Sequence, residues 1–282
     1  MIRGEEVAFL KYALFTGATG GLGETCVKAI AATGRWTVFA AGTNGSALAR
    51  LGKIGGIVPV PMDVTSGESV ENARAVIAAL TSALDAVVHF AGLTAFTSLV
   101  EGDAVGDVER LLAVNVTGAA RVNRAFFEMI LKGKGRIIHC SSEVGWMTPQ
   151  PFAGPYVLSK HALEAYNDSL RRELMFLNVP VIKIQPGSFE TRITRQTQEG
   201  FDRALEKTRY YRDVLTRMRP MMDLELRQKN DPSRLAGTVL RAMESARPHL
   251  KYRVGTGRLL LFLEFLPEAW VDALYRGMMR LR

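Results

Sequence analysis

Tyr156-Val-Leu-Ser-Lys160 sets a phenol and an ammonium four residues apart in a stretch of helical period. Residues i and i+4 share one face of a helix. A tyrosine hydroxyl normally holds its proton up to a pKa near 10, and a neighbouring ammonium favours the phenolate. The spacing therefore predicts a lowered tyrosine pKa and proton exchange near neutral pH. The apolar run before this helix ends in Ser141-Ser142. A hydroxyl at that strand end is placed to hydrogen-bond a substrate oxygen beside the tyrosine. Together these groups can move a proton on and off an oxygen. Y-x-x-x-K alone is common by chance, and the serines make the pattern specific.

A second group sits far upstream. Residues 16–23 read TGATGGLG, with Gly17, Gly20, Gly21 and Gly23 close behind the apolar run 12–15. The octet fits T-G-x-x-x-G-x-G through Gly21, and equally T-G-x-x-G-x-x-G through Gly20. A glycine loop between a strand and a helix can admit a pyrophosphate to the backbone. The free N–H groups and positive dipole end of the helix then face it. Gly17 would permit the turn, and Gly23 would let the helix pack on the strand.

The elements that must position these groups alternate. Short apolar runs rich in Val and Ile recur at 12–16, 36–41, 57–62, 84–90, 135–141 and 179–184. They do not alternate with polar residues, as expected of strands buried on both faces. Segments of helical period separate them at 21–34, 44–52, 66–82, 101–132 and 156–178. This βαβ order predicts a parallel sheet with helices on both faces, the doubly wound α/β class, in one domain spanning 1–282. Pro155 and Asn178-Val-Pro180 bracket the tyrosine helix.

Within that domain, residues 11–187 form the expected core. Residues 188–230 change character, with ten Lys/Arg, seven Asp/Glu and a scatter of aromatics and methionines. They read as a helical lid insertion. Their apolar residues either line a site for an apolar ligand or pack the lid on the body. Residues 231–282 form a C-terminal extension of helix, strand (249–254) and helix (258–281). The tail from 247 carries seven Lys/Arg against three Asp/Glu around Leu259–Leu263, Phe265, Leu266 and Trp270. It could lie on an anionic membrane surface, close the substrate pocket or meet a partner subunit.

The chain has 282 residues, 48% of them hydrophobic, and a net charge of +8. No apolar run approaches the roughly 18–20 residues that cross a bilayer. The N-terminal apolar segment runs straight into the glycine loop, unlike a signal peptide, so the expected location is the cytoplasm. Cys26 and Cys140 lack metal-ligand spacing, and the four histidines are scattered, so no metal is expected. No basic stripe with interleaved aromatics points to nucleic acid.

The octet, the strand-end serines, Tyr156 with Lys160, and Asn115 in NVTG (115–118) together resemble the short-chain dehydrogenase/reductase superfamily over about residues 11–190. The tail resembles the hydroxysteroid and retinol dehydrogenase group. The resemblance implies a Rossmann-type fold, a nicotinamide cofactor and direct hydride transfer. It implies Tyr156 as general acid/base, with Lys160 lowering its pKa and holding the nicotinamide ribose. Ser142 would orient the substrate oxygen, and Asn115 would hold a lysine-linked water path. Cofactor contacts are implied at Gly17, Thr19, Gly21, Leu22, Gly23, Thr43, Ala91 and Gly92. Asp63 and Val64 would lie beside the adenine. Pro186, Gly187 and Thr191, in PGSFET (186–191), would lie along the carboxamide.

Two departures bear on this. Ser142 to Tyr156 is one residue longer than the family's usual separation, so Glu143 rivals Ser142 for the serine position. His89-Phe90-Ala91-Gly92 stands where the shorter branch has Asn-Asn-Ala-Gly, and is closer to the epimerase/dehydratase branch. The P-G-x-x-x-T stretch and the small C-terminal region favour the shorter branch. After the second strand comes Gly42-Thr43-Asn44, with neither the acid that suits NAD nor an arginine for NADP. The missing carboxylate favours NADP(H) over NAD(H), with Thr43 and Asn44 at the 2′ position. The resemblance implies an oxidoreductase that interconverts a secondary alcohol and a ketone (or aldehyde) on a lipophilic molecule, in a homodimer or homotetramer. The rivals are a nucleotide-sugar epimerase or dehydratase and a non-catalytic nicotinamide-sensing regulator.

Overall fold

The computed structural model describes residues 10–189, 192–227, 230–256, 261 and 264–279. Seven strands form one parallel sheet. They are β1 (Lys11–Thr16), β2 (Trp36–Gly42), β3 (Ile57–Pro61), β4 (Ala86–His89), β5 (Arg136–Cys140), β6 (Val181–Pro186) and β7 (Lys251–Val254). Their order is β3-β2-β1-β4-β5-β6-β7. The order reverses beside β1, so the crevice over the carboxyl ends of β1 and β4 is the place for a ligand.

Strands β1, β2, β4, β5 and β6 are largely buried on both faces, whereas β3, expected to be covered likewise, is an edge strand and exposes Pro59 and Pro61. Phe15, Val38 and Val88 face a core closed by α1 (Gly21–Ala31) and, later in the chain, α9 (Pro232–Glu244), through Ile30, Leu235 and Val239. Leu14, Phe39 and Val87 face the opposite core, closed by α3 (Gly67–Ala78) and α5 (Gly118–Lys132) through Ile77, Val122 and Phe126. Between them lie α2 (Gly45–Leu51) and α4 (Ala104–Leu112).

The expected helix over 101–132 is interrupted. A π-helical turn at Ala113–Thr117 joins α4 to α5 and carries Asn115. Such a turn offsets the side chains that follow and often marks a functional site. The tyrosine helix, α6 (Gly154–Leu174), starts two residues before Tyr156, with Pro155 inside its first turn. Proline is tolerated there because its missing N–H has no helical partner. A 3₁₀ turn (Met175–Leu177) and Asn178, at φ 56°, end it.

The insertion folds as α7 (Arg192–Lys207) and α8 (Arg212–Arg227). Phe201, Leu215 and Met218 build a small core with Phe96, and Met279 joins it from beyond α10 (Glu268–Met278). The lid's aromatics and methionines therefore pack the lid on the body, while Tyr210 and Met221 face solvent. Glu101 fastens the tip between the two helices, accepting bonds from the Thr208 hydroxyl (2.7 Å) and the backbone N–H of Arg209 (2.8 Å) and Tyr210 (3.1 Å). Most of Leu259–Leu263 lies outside the described residues.

Candidate active site

A cleft of about 630 Å³ opens over the carboxyl ends of the strands. Gly17, Thr19, Gly21, Leu22 and Gly23 line it from the turn after β1, and Thr43 from the end of β2. Asp63 and Val64 enter after β3, Ala91 and Gly92 after β4, and Pro186 and Gly187 from β6. Ser142 follows β5, and Tyr156 and Lys160 come from the first turns of α6. Thr191 lies outside the described residues. The sequence reading missed Phe189 and Gln196, which reach the same cleft from beyond β6 and from α7. Phe189 stands at an unspecified position of P-G-x-x-x-T, and Gln196 carries no motif and is brought there only by the return of the lid.

The glycine turn is built by backbone crowding. Gly17 has φ +65°, and a Cβ on it would stand 2.4 Å from the Ala91 nitrogen. A Cβ on Gly23 would stand 2.3 Å from the Gly17 carbonyl oxygen. Gly20 is looser, with 3.3 Å to that oxygen. It is the N-cap of α1 and has no side chain to cap the helix. The first-turn N–H groups of α1 thus face the cleft without a side-chain acceptor, which suits an anionic diphosphate.

The two residues after β2 differ in what they offer. Asn44 lines the cleft, but its Oδ1 caps α2, accepting from Ala47 N (3.0 Å) and the Ser46 hydroxyl (2.9 Å). Asp63 is also committed locally. Its Oδ1 accepts from the Thr65 N–H (2.8 Å) and hydroxyl (2.7 Å), bonds that lower its pKa.

At the reactive end, Lys160 is buried and its Nζ donates to the Cys140 carbonyl oxygen at 3.1 Å. Burial lowers its pKa. Its Nζ stands 5.8 Å from the Tyr156 ring centroid. The lowered tyrosine pKa expected from this neighbour is not found. Removal from water pushes the phenol up to about 12, the Ser142 hydrogen bond pulls it down, and Cys140 and Glu143 push it up. An ammonium itself removed from water, with a carbonyl as its partner, does not offset the cost of a buried phenolate. Tyr156 therefore holds its proton at neutral pH.

The Ser142 hydroxyl acts to lower the pKa of the Tyr156 phenol, whereas Glu143 raises it and is buried with its carboxylate toward Gly187. Asn115 does not line the cleft. From the π turn, its Oδ1 accepts from Leu93 N (2.7 Å), and its Nδ2 donates to the Leu93 carbonyl (3.0 Å) and the Ser159 hydroxyl (2.8 Å). It ties the loop after Gly92 to α6. A Cβ at Gly92 would lie 3.4 Å from Asn115 Oδ1 and 3.7 Å from Lys160 Nζ, so the backbone there runs close under both groups.

The family model for short chain dehydrogenases matches residues 11–201. The chain belongs to this family. It is 28% identical over 278 residues to retinol dehydrogenase 16 of Homo sapiens, covering 94% of this chain and 87% of that protein. It is 28% identical over 282 residues to 17-beta-hydroxysteroid dehydrogenase type 6 of Rattus norvegicus, with the same coverage of 94% and 87%. Among solved structures, a short chain dehydrogenase/reductase from Burkholderia phymatum in complex with NAD superposes with a TM-score of 0.76 at 22% identity, covering 94% of this chain and 95% of that one.

Family membership gives the two departures a physical setting. The longer loop before α6 brings Phe152 round at φ 62°, a left-handed conformation that costs about 1–2 kcal/mol for a residue with a Cβ. Its ring then stacks on Phe96 (5.9 Å) and meets Tyr211 edge-on (5.1 Å). The extra length thus joins the loop before α6 to the lid. In His89-Phe90-Ala91-Gly92, the His89 side chain is buried in a network under α5 and α6 and does not line the cleft.

Proposed function

We propose that this short chain dehydrogenase is an NAD(P)-dependent oxidoreductase that interconverts a secondary alcohol and a ketone (or an aldehyde) on a lipophilic substrate. One observation carries the reading. The Ser142 hydroxyl, the Tyr156 phenol and the Lys160 ammonium meet at one end of a cleft whose other end is a glycine turn at a helix N-terminus.

The cleft fits a dinucleotide. The backbone at Gly17 and Gly23 leaves no room for side chains, and the uncapped start of α1 suits the diphosphate. A bound nicotinamide would supply or accept the hydride. Tyr156 would give its proton to the substrate oxygen during reduction and take it back during oxidation. Ser142 would donate a hydrogen bond to the same oxygen, and Lys160 would hold the ribose beside the tyrosine. Asp63 and Val64 would border the adenine, and Pro186 and Gly187 the carboxamide. NADP(H) is the favoured cofactor, because the Gly42-Thr43-Asn44 turn presents no carboxylate to repel a 2′-phosphate. The names of the retinol and hydroxysteroid relatives support a lipophilic substrate.

We read the protein as a cytoplasmic homodimer or homotetramer that pairs through α4–α5 and α6. A peripheral membrane contact through α10 is included. There Trp270, Leu274 and Met278 are exposed at four-residue steps, with exposed Phe265 nearby in sequence, while Val271 and Met279 face inward. Among the described residues no helix is long and apolar enough to cross a membrane.

The deciding experiment is a panel of retinoid, steroid and simpler alcohols and ketones with both cofactors, followed at the nicotinamide absorbance. Turnover with a lower Michaelis constant for NADPH than for NADH is expected. No net absorbance change with any member would refute the oxidoreductase reading.

A further inference from the structure

The face of the sheet beneath α5 and α6 carries a polar row. Thr16, His89, His139, Lys183 and Lys251 are successive cross-strand partners on β1, β4, β5, β6 and β7. Thr16, His89 and His139 are buried. The two imidazoles stack with centroids 4.8 Å apart. Asn123 of α5 lies between them, with Oδ1 2.7 Å from His89 Nε2 and Nδ2 3.1 Å from His139 Nε2. Its Nδ2 also donates to the Tyr166 hydroxyl at 3.1 Å. His139 Nδ1 lies 2.8 Å from Asn167 Oδ1 on α6.

One assignment of protons satisfies every one of these groups. Asn167 Oδ1 can only accept, so His139 carries its proton on Nδ1 and accepts on Nε2 from Asn123. Asn123 Oδ1 can only accept, so His89 carries its proton on Nε2. Both rings are neutral, and each nitrogen named has one role. A buried network in which each of these contacts has a matched donor and acceptor fixes the elements that contribute to it.

We infer that His139 is a positioning residue that seats α6 on β5, and with it the height of Lys160 and Tyr156 over Ser142. Two neighbouring residues of β5 grip one face of α6. His139 holds Asn167 through Nδ1, and the Cys140 carbonyl holds Lys160. Lys160 and Asn167 are seven residues apart, about two turns along the same face. The turn that carries Ser142 lies directly on this helix, since a Cβ at Gly145 would stand 3.1 Å from the Lys160 carbonyl oxygen. A shift of α6 therefore changes the Ser142–Tyr156 separation without moving the cofactor turn. On the far side, Lys183 of β6 pairs with Glu164 (2.7 Å) and Asp168 (2.9 Å) of α6. With that side held, loss of the His139 bond would let the helix pivot.

The inference rests on Tyr156 and Lys160 being the reacting groups. Two substitutions split the histidine in half. Asparagine places its amide near the Nδ1 position and can keep the bond to Asn167. Glutamine reaches the Nε2 position and can keep the bond to Asn123 only. In the full-length protein, His139→Gln is expected to lower kcat by roughly tenfold or more, with the NADPH dissociation constant nearly unchanged, because small misplacements of reacting groups cost that much. His139→Asn should stay within about threefold of the parent kcat. Amide hydrogen exchange over residues 154–162 should quicken in His139→Gln alone. Equal losses, no loss in either, or a larger loss in His139→Asn would overturn the inference. If His139→Gln does not fold, Asn167→Leu removes the same bond from the helix side. Parent-like kcat and exchange in that variant would overturn it. A parent enzyme inactive on every alcohol and ketone would refute the proposed function instead, and the exchange comparison would still decide the positioning.

Discussion

The Ser142 hydroxyl opposes the burial that pushes the Tyr156 phenol up to about pKa 12. The two effects have opposite signs, so the serine's removal can be read in a pH profile. Reduction needs the phenol, which is present across neutral pH, and its rate should be level there. Oxidation needs the phenolate and should accelerate with rising pH. In Ser142→Ala the pull toward phenolate is gone, so the oxidation limb moves to higher pH. Plots of kcat against pH in both directions check this, and an unmoved or downward-shifted limb would contradict it.

Tyr156→Phe keeps the ring and removes the transferable proton. Turnover should fall by about 10²–10⁴-fold, the usual contribution of a positioned acid or base. Cofactor affinity, followed by quenching of protein fluorescence, should change little. A variant with parental turnover would remove Tyr156 from the acid/base role.

The octet makes a graded prediction. A methyl at position 20 meets one carbonyl oxygen at 3.3 Å, while at position 23 it would lie 2.3 Å from that oxygen. Gly20→Ala should stay folded and bind cofactor. Gly23→Ala should lose about 1–3 kcal/mol of stability, the usual cost of overpacking, and much of its cofactor affinity. Urea unfolding and cofactor titration of the pair test it, and equal behaviour would show that the turn relaxes more than its backbone packing implies.

Acid should unfold the protein through its buried imidazoles. Burial lowers His89 to about 3 and His139 to about 4, whereas the unfolded chain titrates near 6.5. Between those values the unfolded state binds more protons. The histidine contribution is therefore complete above about pH 6.5, and falls by about 1.4 kcal/mol per pH unit per histidine as the pH drops toward the folded values. Urea midpoints measured from pH 8 to pH 5 should decline, and the double variant His89→Phe/His139→Phe should show a flatter decline, whatever its absolute stability.

Local chemistry made much of the protein legible in advance. Valine- and isoleucine-rich runs such as 84–90 and 135–141 call for cover on both faces, and that requirement points to a parallel sheet between helix layers. A glycine turn between a strand and a helix, and Tyr-x-x-x-Lys on a helix after a strand-end serine, identify a site because their geometry is set within a few residues. Features that depend on distant segments stayed hidden. The lid residues Phe201 and Met218 could have lined a pocket, and only the approach of Phe96 and Met279 turned them into a core. Lys160 was expected to lower the tyrosine's pKa, and the outcome reversed because burial is a property of everything packed around the phenol. His89 looked like a branch marker in a motif. Its partners Asn123 and His139, and Asn167 beyond His139, come from three other elements, and neither tautomer nor hydrogen bond can be assigned until the sheet and helices bring them together. The sequence determined which candidate groups exist and which elements bear them. The tertiary structure decided their charge states and spacing, because those depend on water excluded by residues far away in the chain.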